Sequence, residues 1–141
     1  MRKRSLAREH ALKILYQADI TRRDFKTAAD LYWKESSDNN DKMVHDFTSR
    51  LIEGIDANSK KIDEMITTYA TNWQLKRMAV IDRNVLRMGV YELLFAPDIP
   101  PKATINEAVE LAKKYGDLES SKFVNGILDK LHKTEKLNKN D

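Results

Sequence analysis

The sequence predicts an all-α protein, and three observations support that fold class. Only 4 of the 141 residues are glycine and 3 are proline, which leaves few breaks in regular structure. Strand-like alternation of polar and apolar residues is absent. Apolar residues recur instead at the spacing that places them on one face of a helix. We expect about seven helices, joined by short links into one compact bundle.

The first half of the chain is predicted to form four helices. Their apolar stripes lie within residues 5–19, 25–32, 44–55 and 62–69. A run of serine, aspartate and asparagine at residues 36–41 separates the second helix from the third, because these residue types favour turns over helix interiors. Each stripe covers one side of its helix, so that side is expected to be buried.

The second half is predicted to contain a central helix and two that follow it. Residues 78–95 are apolar on most of the helix circumference, which is typical of a helix buried between neighbours. The proline-rich segment 96–101 ends this helix, since proline cannot donate to the helical ladder. Residues 104–107 fit a capping box that opens the next helix, and Gly116 is expected to end it as a C′ residue. The last helix is predicted over residues 118–132.

The composition excludes several classes of function. The chain has no cysteine, which excludes a disulfide, a thiolate metal site and a cysteine nucleophile. The three histidines, His10, His45 and His132, lack the spacing of metal ligands, and the glycines are too scattered to form a phosphate-binding loop. We therefore expect a protein that has no metal, no cofactor and no catalytic residues.

The chain shows no signal for export and no membrane segment. Its basic start is followed by polar residues, where a signal peptide needs an unbroken apolar stretch. The longest apolar passage, residues 90–96, is too short to span a bilayer and contains Glu92. We expect a cytoplasmic protein that does not contact a membrane.

Charge is distributed unevenly along the chain. Lysine and arginine number 25 and aspartate and glutamate 22, which leaves a net charge of only +3. Residues 1–13 nevertheless carry five bases against one acid, whereas residues 37–64 carry seven acids against four bases. A basic N-terminal segment is suited to binding phosphate backbones, but a short solubilising tail has the same composition. Both interpretations stay open on charge alone.

The first predicted helix carries two cations and an aromatic residue that its apolar stripe does not include. Arg4 and Arg8 are four residues apart and therefore neighbours on one side of the helix. Tyr16 lies away from the centre of the stripe. Two interpretations of Tyr16 stay open: it stacks on a base or contacts a protein, or another helix covers it.

The last predicted helix holds a second cation and aromatic pair. Lys122 points away from the apolar stripe, and Phe123 lies at its edge. Binding of single-stranded RNA uses such pairs, because lysine neutralises phosphate while the ring stacks on a base. Phe123 is equally compatible with a core position. Gly126 indicates close approach of another backbone or of a partner, and we expect packing within the protein to explain it.

Three blocks of the sequence resemble the NusB family of bacterial transcription antitermination factors. They lie at residues 7–17, 82–93 and 105–129. The third is the most specific, and it contains the run Lys122-Phe123-Val124-Asn125-Gly126. Residues 21–72 are similar to the family only as a helical spacer of suitable length.

The resemblance implies an all-helical fold of two packed sub-bundles, with no catalytic activity. Residues 1–72 are then expected to form the N-terminal sub-bundle and residues 73–132 the C-terminal one. Residues 133–141 are expected to form a flexible tail, and the whole chain to be one RNA-binding domain.

The resemblance also implies a function in transcription. It predicts that the chain binds the boxA element of nascent ribosomal RNA as a heterodimer with NusE, the small-subunit ribosomal protein S-ten. It further predicts that this complex joins NusA, NusG and RNA polymerase to suppress termination. The implied protein-partner residues are Tyr16 and Asp82. The implied RNA-binding residues are Arg2, Lys3, Arg4, Arg8, Lys122 and Phe123.

The sequence departs from the family in its arginine cluster, which Ser5 and Leu6 interrupt. We expect this interruption to weaken RNA affinity or to move contacts towards Arg2 and Lys3, which are predicted to be flexible. Two alternative functions also stay open. One is the RNA-binding domain of a ribosomal RNA methyltransferase, and the other is a homodimeric protein adaptor that buries its basic helix at the interface.

Overall fold

A computed structural model describes residues 2–36 and 41–135 of the chain. Within those ranges it contains seven α-helices and no strand, which confirms the all-α prediction. The predicted loop at 36–41 and tail at 133–141 fall partly outside the described residues, at 37–40 and 136–141. The helices are α1 (Arg2–Thr21), α2 (Phe25–Glu35), α3 (Lys42–Ala57), α4 (Ser59–Tyr69), α5 (Val80–Phe95), α6 (Pro101–Tyr115) and α7 (Leu118–Glu135), with a 3-10 turn at Leu75–Arg77.

The chain divides into two compact units, Met1–Ala57 and Asn58–Asp141. The sequence placed a boundary between sub-bundles after residue 72, which assigned α4 to the N-terminal part. In the structure α4 packs against α5 and α7. Its apolar stripe therefore contributes to the core of the second unit, and the division falls before α4 begins.

The first unit consists of α1, α2 and α3, with α1 packed against both other helices. The predicted stripe of α1 is the buried one, and its small residues Ala7 and Ala11 allow α3 to approach closely. Thr48 on α3 is fully buried, and its hydroxyl lies 3.2 Å from the carbonyl oxygen of Ala7. The same hydroxyl lies closer, at 2.8 Å, to the carbonyl oxygen of Val44 one turn earlier on α3, and it has only one proton to donate. Thr48 thus packs directly against the first turns of α1.

The second unit is built around α5, which packs against α4, α6 and α7. Val85, Leu86 and Val90 are fully buried, as expected of a central helix. A Cβ atom added at Gly89 would lie 2.6 Å from a terminal methyl carbon of Leu128 on α7. The absence of a side chain at Gly89 therefore sets how closely α5 and α7 approach.

The predicted start of α6 is wrong. The helix begins at Pro101, which occupies its first turn, so residues 104–107 lie inside the helix rather than at its cap. The Thr104 hydroxyl donates instead to the buried carboxylate of Glu92 on α5, at 2.8 Å. Gly116 does follow the last turn, but its φ of −109° is not the left-handed conformation of a C′ glycine.

An ion pair connects α4 to α5 at the edge of the second core. Arg87 on α5 donates from Nε and Nη2 to the two carboxylate oxygens of Asp63 on α4, at 3.0 and 3.2 Å. The same guanidinium group donates from Nη1 to the Asn84 side chain at 3.0 Å. The two-point geometry holds α4 in one orientation. None of the described helices is long and apolar enough to cross a membrane.

Two glycine substitutions are predicted to have opposite effects on stability. Gly89→Ala lowers the free energy of unfolding by about 1 kcal/mol, because overlap with the fully buried Leu128 outweighs the gain in helix propensity. Gly126→Ala on α7 raises it by up to about 1 kcal/mol, because an added Cβ meets no described atom within 4 Å. Denaturant unfolding followed by far-UV circular dichroism measures both. Shifts of the same sign would contradict the proposed role of the contact between Gly89 and Leu128.

Candidate nucleic-acid interface

Three arginines of the first unit surround one aromatic ring. The guanidinium carbons of Arg4, Arg8 and Arg50 lie 4.7, 5.4 and 5.7 Å from the centre of the Phe47 ring. Arg4 and Arg8 come from adjacent turns of α1, and Phe47 and Arg50 come from adjacent turns of α3. We call these four residues the Phe47 cluster. Each cation is attracted by the electron-rich face of the ring, which offsets part of the repulsion among the arginines.

The arginines of the Phe47 cluster differ in exposure. Arg4 is exposed and Arg50 half-buried, whereas Arg8 is only 5% exposed. Arg8 is one of the predicted RNA-binding residues, and its burial leaves little surface for a direct contact. Its guanidinium group contacts the Phe47 ring instead. Arg50 was missed by the sequence analysis because it lies in a stretch where acids outnumber bases.

The other predicted cations of the N-terminus lie in the first turn of α1. Arg2 and Lys3 are helical in the structure, so the expectation that they are flexible additions is not met. Lys3 Nζ lies 3.1 Å from an Asp41 carboxylate oxygen at the start of α3. The hydrogen bond from Lys3 is the main reason that the pKa of Asp41 lies below its usual value. The ion pair of Lys3 therefore connects the first turn of α1 to the start of α3.

A shallow cleft of about 290 Å³ opens beside the Phe47 cluster. Lys3, Arg4 and Arg50 supply its cations, and Phe47 and the exposed Met43 supply its apolar surface. Asp46 also lines it and pairs with Lys42 at 2.7 Å. The cleft therefore combines several positive charges with a small apolar floor, which is a suitable surface for a phosphate and its attached sugar.

Tyr16 is exposed on α1, with 39% of its surface accessible. The alternative that another helix covers it is therefore not what the structure shows. Ile20 follows one turn later and is 56% exposed, so the two side chains form a small apolar strip on α1. The strip begins about 18 Å along the helix axis from Arg4, which separates it from the Phe47 cluster.

In the second unit, Phe123 on α7 forms part of an aromatic pair. Its ring packs edge-on against Trp73, with the ring centres 5.8 Å apart. Phe123 is half-buried and Trp73 is 55% exposed, so Phe123 is neither a core residue nor a free one. The sequence analysis treated Trp73 only as part of a packed connector. A cavity of about 370 Å³ adjoins the pair and is lined by both rings and by Met78, Asp82 and Asp117.

Asp82 is the polar group of that cavity. Burial is the main reason that the pKa of Asp82 is raised above its ordinary value, and the charge of Asp117 raises it further. A hydrogen bond with Ser120 acts in the opposite direction. The Oδ1 atom is buried and has no hydrogen-bond partner among the described residues. A ligand that donates a hydrogen bond would satisfy this oxygen.

Lys122 and Gly126 lie on the exposed side of α7 near Phe123. The Lys122 ammonium is exposed and 3.7 Å from Glu119, a surface pair that contributes little stability. Gly126 is exposed as well, and no described atom lies within 4 Å of the position of an added Cβ. Packing within the protein was expected to explain this glycine and does not. The surface of α7 beside Phe123 therefore has no side chain at Gly126.

Each unit thus contains exposed cations near an aromatic ring. The ring of the first unit, Phe47, is buried, and that of the second, Phe123, is half-buried. This is a pattern that is suited to binding phosphates and bases. Within residues 2–36 and 41–135, no group of three or more histidine, aspartate or glutamate side chains is placed to hold a metal ion. The residues that sequence reasoning missed, Phe47, Arg50 and Trp73, join the candidate set only through tertiary contacts.

Comparison with known proteins identifies the family. The model described as "NusB family" matches residues 5–133. The transcription antitermination protein NusB of Myxococcus xanthus is 45% identical over 130 residues, which cover 91% of this chain and 93% of the relative. That of Elusimicrobium minutum is 43% identical over 141 residues, which cover 99% of this chain and all of the relative. The expectation of a non-enzyme is confirmed by these relatives.

Solved structures share the fold. NusB of T. maritima is 42% identical and has a TM-score of 0.82, covering 92% of this chain and 90% of that chain. A crystal structure of the antitermination factors NusB and NusE in complex with dsRNA has a TM-score of 0.85 at 29% identity, covering 95% of this chain and 98% of that chain. Sequence, family model and fold agree, and the chain belongs to the NusB family.

Proposed function

We propose that this chain is a transcription antitermination factor that binds boxA RNA together with NusE, the ribosomal protein S-ten. The observation that carries the proposal is the arrangement of Arg4 and Arg50 over Phe47 in a member of this family. A similar chain was crystallised with NusE and dsRNA, which supports RNA and NusE as partners. The RNA proposed here is the single-stranded leader of ribosomal transcripts, bound in the cytoplasm.

The RNA backbone is proposed to lie against the cations of the first unit. Arg4 and Arg50 present guanidinium groups, which bind phosphate through paired N–H donors. Arg2 and Lys3 extend the positive surface along the first turn of α1. Arg8 stays buried against the ring of Phe47 and adds its charge to the positive potential of the cluster. Affinity from these contacts depends strongly on salt, because binding releases the counterions of the RNA.

An unstacked base is proposed to bind beside Phe123 and Trp73 in the second unit. The half-buried Phe123 ring is held by Trp73, so little conformational freedom is lost when a base packs on it. Lys122 contacts the adjoining phosphate, and the flat surface at Gly126 lets the RNA backbone approach. Stacking on such rings contributes about 1–3 kcal/mol per base.

NusE is proposed to contact Tyr16 and Asp82, and the resulting complex to join NusA, NusG and RNA polymerase. Tyr16 offers apolar surface together with Ile20. Asp82 lines the cavity beside Phe123 and Trp73, and its carboxylate is proposed to accept a hydrogen bond from the partner. The matched relatives are named antitermination proteins along nearly their whole length, which favours this function over a methyltransferase domain.

Removing an outer arginine is predicted to weaken RNA binding and its dependence on salt. With about four phosphates neutralised, log K for a boxA oligonucleotide falls with log salt at a slope of roughly −3. Arg4→Ala and Arg50→Ala each lower affinity and reduce that slope by roughly one. Lys61→Ala removes an exposed cation of α4 and serves as the control. Fluorescence anisotropy at several salt concentrations measures the slopes, and a salt-independent affinity would contradict the electrostatic contact.

Phe123 is predicted to act through stacking rather than charge. Phe123→Leu keeps an apolar side chain at the edge of α7 but removes the aromatic face, so we expect boxA affinity to fall about fivefold or more with no change in the salt slope. Denaturant unfolding provides the control for fold. If Phe123→Leu reduces the free energy of unfolding but not the affinity, Phe123 is a packing residue.

Asp82 is predicted to oppose stability while supporting the contact with NusE. Its raised pKa means that folding disfavours the ionised carboxylate. The free energy of unfolding therefore decreases as the pH rises through the pKa of Asp82 in the folded protein. Asp82→Asn is therefore expected to increase the free energy of unfolding at neutral pH and to change it little in acid. Asp82→Ala, which removes the acceptor oxygen, is expected to weaken NusE binding, measured by calorimetry, more than it weakens binding of RNA alone. Equal loss of both would refute the assignment to NusE.

A further inference from the structure

A groove of about 410 Å³ lies between α2 and α3 of the first unit, and the proposed RNA and NusE contacts do not use it. One wall is the apolar stripe of α2, formed by Phe25, Ala29 and Trp33 at four-residue spacing. On the α3 side, Thr48 and Ile52 are buried at its base. The volume is in the range of sites that enclose a small ligand or a few side chains of a peptide.

The aromatic wall of the groove is held in place before any partner binds. Trp33 stacks on His45, with ring centres 4.0 Å apart and planes 29° from parallel. The same indole contacts the rings of His10 and Tyr32, each at 5.1 Å between ring centres. His10 in turn is hydrogen-bonded to the Tyr32 hydroxyl. A wall with this many contacts loses little freedom on binding, which favours affinity.

The rim of the groove is negative. Asp30, Glu53 and Asp56 line it, against the single cation Lys26. Lys26 and Asp30 form an exposed pair at 3.5 Å, so Glu53 and Asp56 supply the remaining charge of −2. These two carboxylates lie one turn apart on α3. An acidic rim over an apolar floor is complementary to a segment that carries lysine or arginine beside an apolar side chain.

The groove and the Phe47 cluster lie on different faces of α3. At 100° per residue, His45, Ser49, Ile52 and Asp56 form a stripe roughly 140° from the one formed by Met43, Asp46, Phe47 and Arg50, and Glu53 lies between the two stripes, about 70° from each. The first face repels phosphate and the second attracts it. RNA on the Phe47 cluster would therefore leave the groove accessible.

We propose that this groove docks a cationic amphipathic segment of a partner protein. None of the residues that line the groove belongs to the proposed RNA and NusE contacts, and the proposal does not depend on those contacts. The apolar side chain of the segment packs between Trp33 and Ile52, and its flanking lysine or arginine residues pair with Glu53 and Asp56. The first unit then binds RNA on the face of α3 that carries the Phe47 cluster, and a basic protein segment in the groove. The positive cluster attracts phosphate, and the negative rim of the groove attracts the basic segment.

Peptide titration of the isotope-labelled full chain, followed by nuclear magnetic resonance, tests the proposal. The probe is a short capped peptide that alternates lysine with leucine, and the control peptide has glutamate in place of lysine. The chain has 2 tryptophans, Trp33 in the first unit and Trp73 in the second, so the two indole N–H signals report on the two sites separately. We expect the lysine peptide to shift the Trp33 signal and not the Trp73 signal, and the glutamate peptide to shift neither.

Variants of the rim and wall sharpen the test. Glu53→Lys with Asp56→Lys reverses two exposed charges and is expected to weaken binding of the lysine peptide about fivefold or more. Glu64→Lys with Glu110→Lys is the matched control, because it also reverses two exposed charges, both of them in the second unit. Ala29→Trp fills the groove and abolishes binding if the variant folds. RNA affinity is expected to be unchanged in the rim variant, or to increase slightly.

Several results would overturn the proposal. Equal binding of both peptides, or an unchanged affinity in the rim variant, would show that charge complementarity does not select the occupant. A Trp33 shift that spermidine alone reproduces at the same concentration would identify a small polyamine as the ligand. A Trp33 signal that depends on protein concentration without peptide, with a dimer in light scattering, would identify a second copy of the chain.

Discussion

The packing of α1 against α3 determines where the cations of the first unit lie. Ala7 and Ala11 let the two helices approach closely, and the fully buried Thr48 side chain packs against the Ala7 carbonyl at 3.2 Å. The register brings the first turns of α1 over Phe47, so arginines that are distant in sequence share one ring. A change in that register would separate the charges from the ring and from each other. The candidate RNA surface is thus a consequence of core packing.

In the second unit, a buried contact between α5 and α7 likewise determines where the surface residues of α7 lie. Gly89 lets Leu128 pack closely against α5, which fixes the rotation of α7 about its axis. Val124 and Leu131 then face the core, and Lys122 and Gly126 necessarily face outward. Because the helical period is fixed, one buried contact decides the direction of every side chain on α7.

Sequence periodicity predicted the seven helices because burial of one face is a property of each helix alone. It failed at Thr104, since the partner of that hydroxyl is Glu92, which belongs to another helix. Arg50 and Trp73 were missed for the same reason: their significance depends on the neighbours that folding supplies. The burial of Arg8 was equally invisible, because helical spacing gives a direction but not what covers it.

The candidate site of the second unit also contains residues that lower the stability of the fold. Gly126 occupies an exposed helical position at a cost of about 1 kcal/mol relative to alanine, and no internal contact of the described residues requires it. Asp82 keeps a buried oxygen without a described partner, and Trp73 exposes a large aromatic surface. Each feature is unfavourable in the isolated chain, and the proposed RNA and NusE contacts would offset that cost by supplying a backbone, a donor or a stacking partner. Residues that lower stability in this way are typical of functional surfaces. Selection for binding retains such residues, whereas selection for stability alone would replace them.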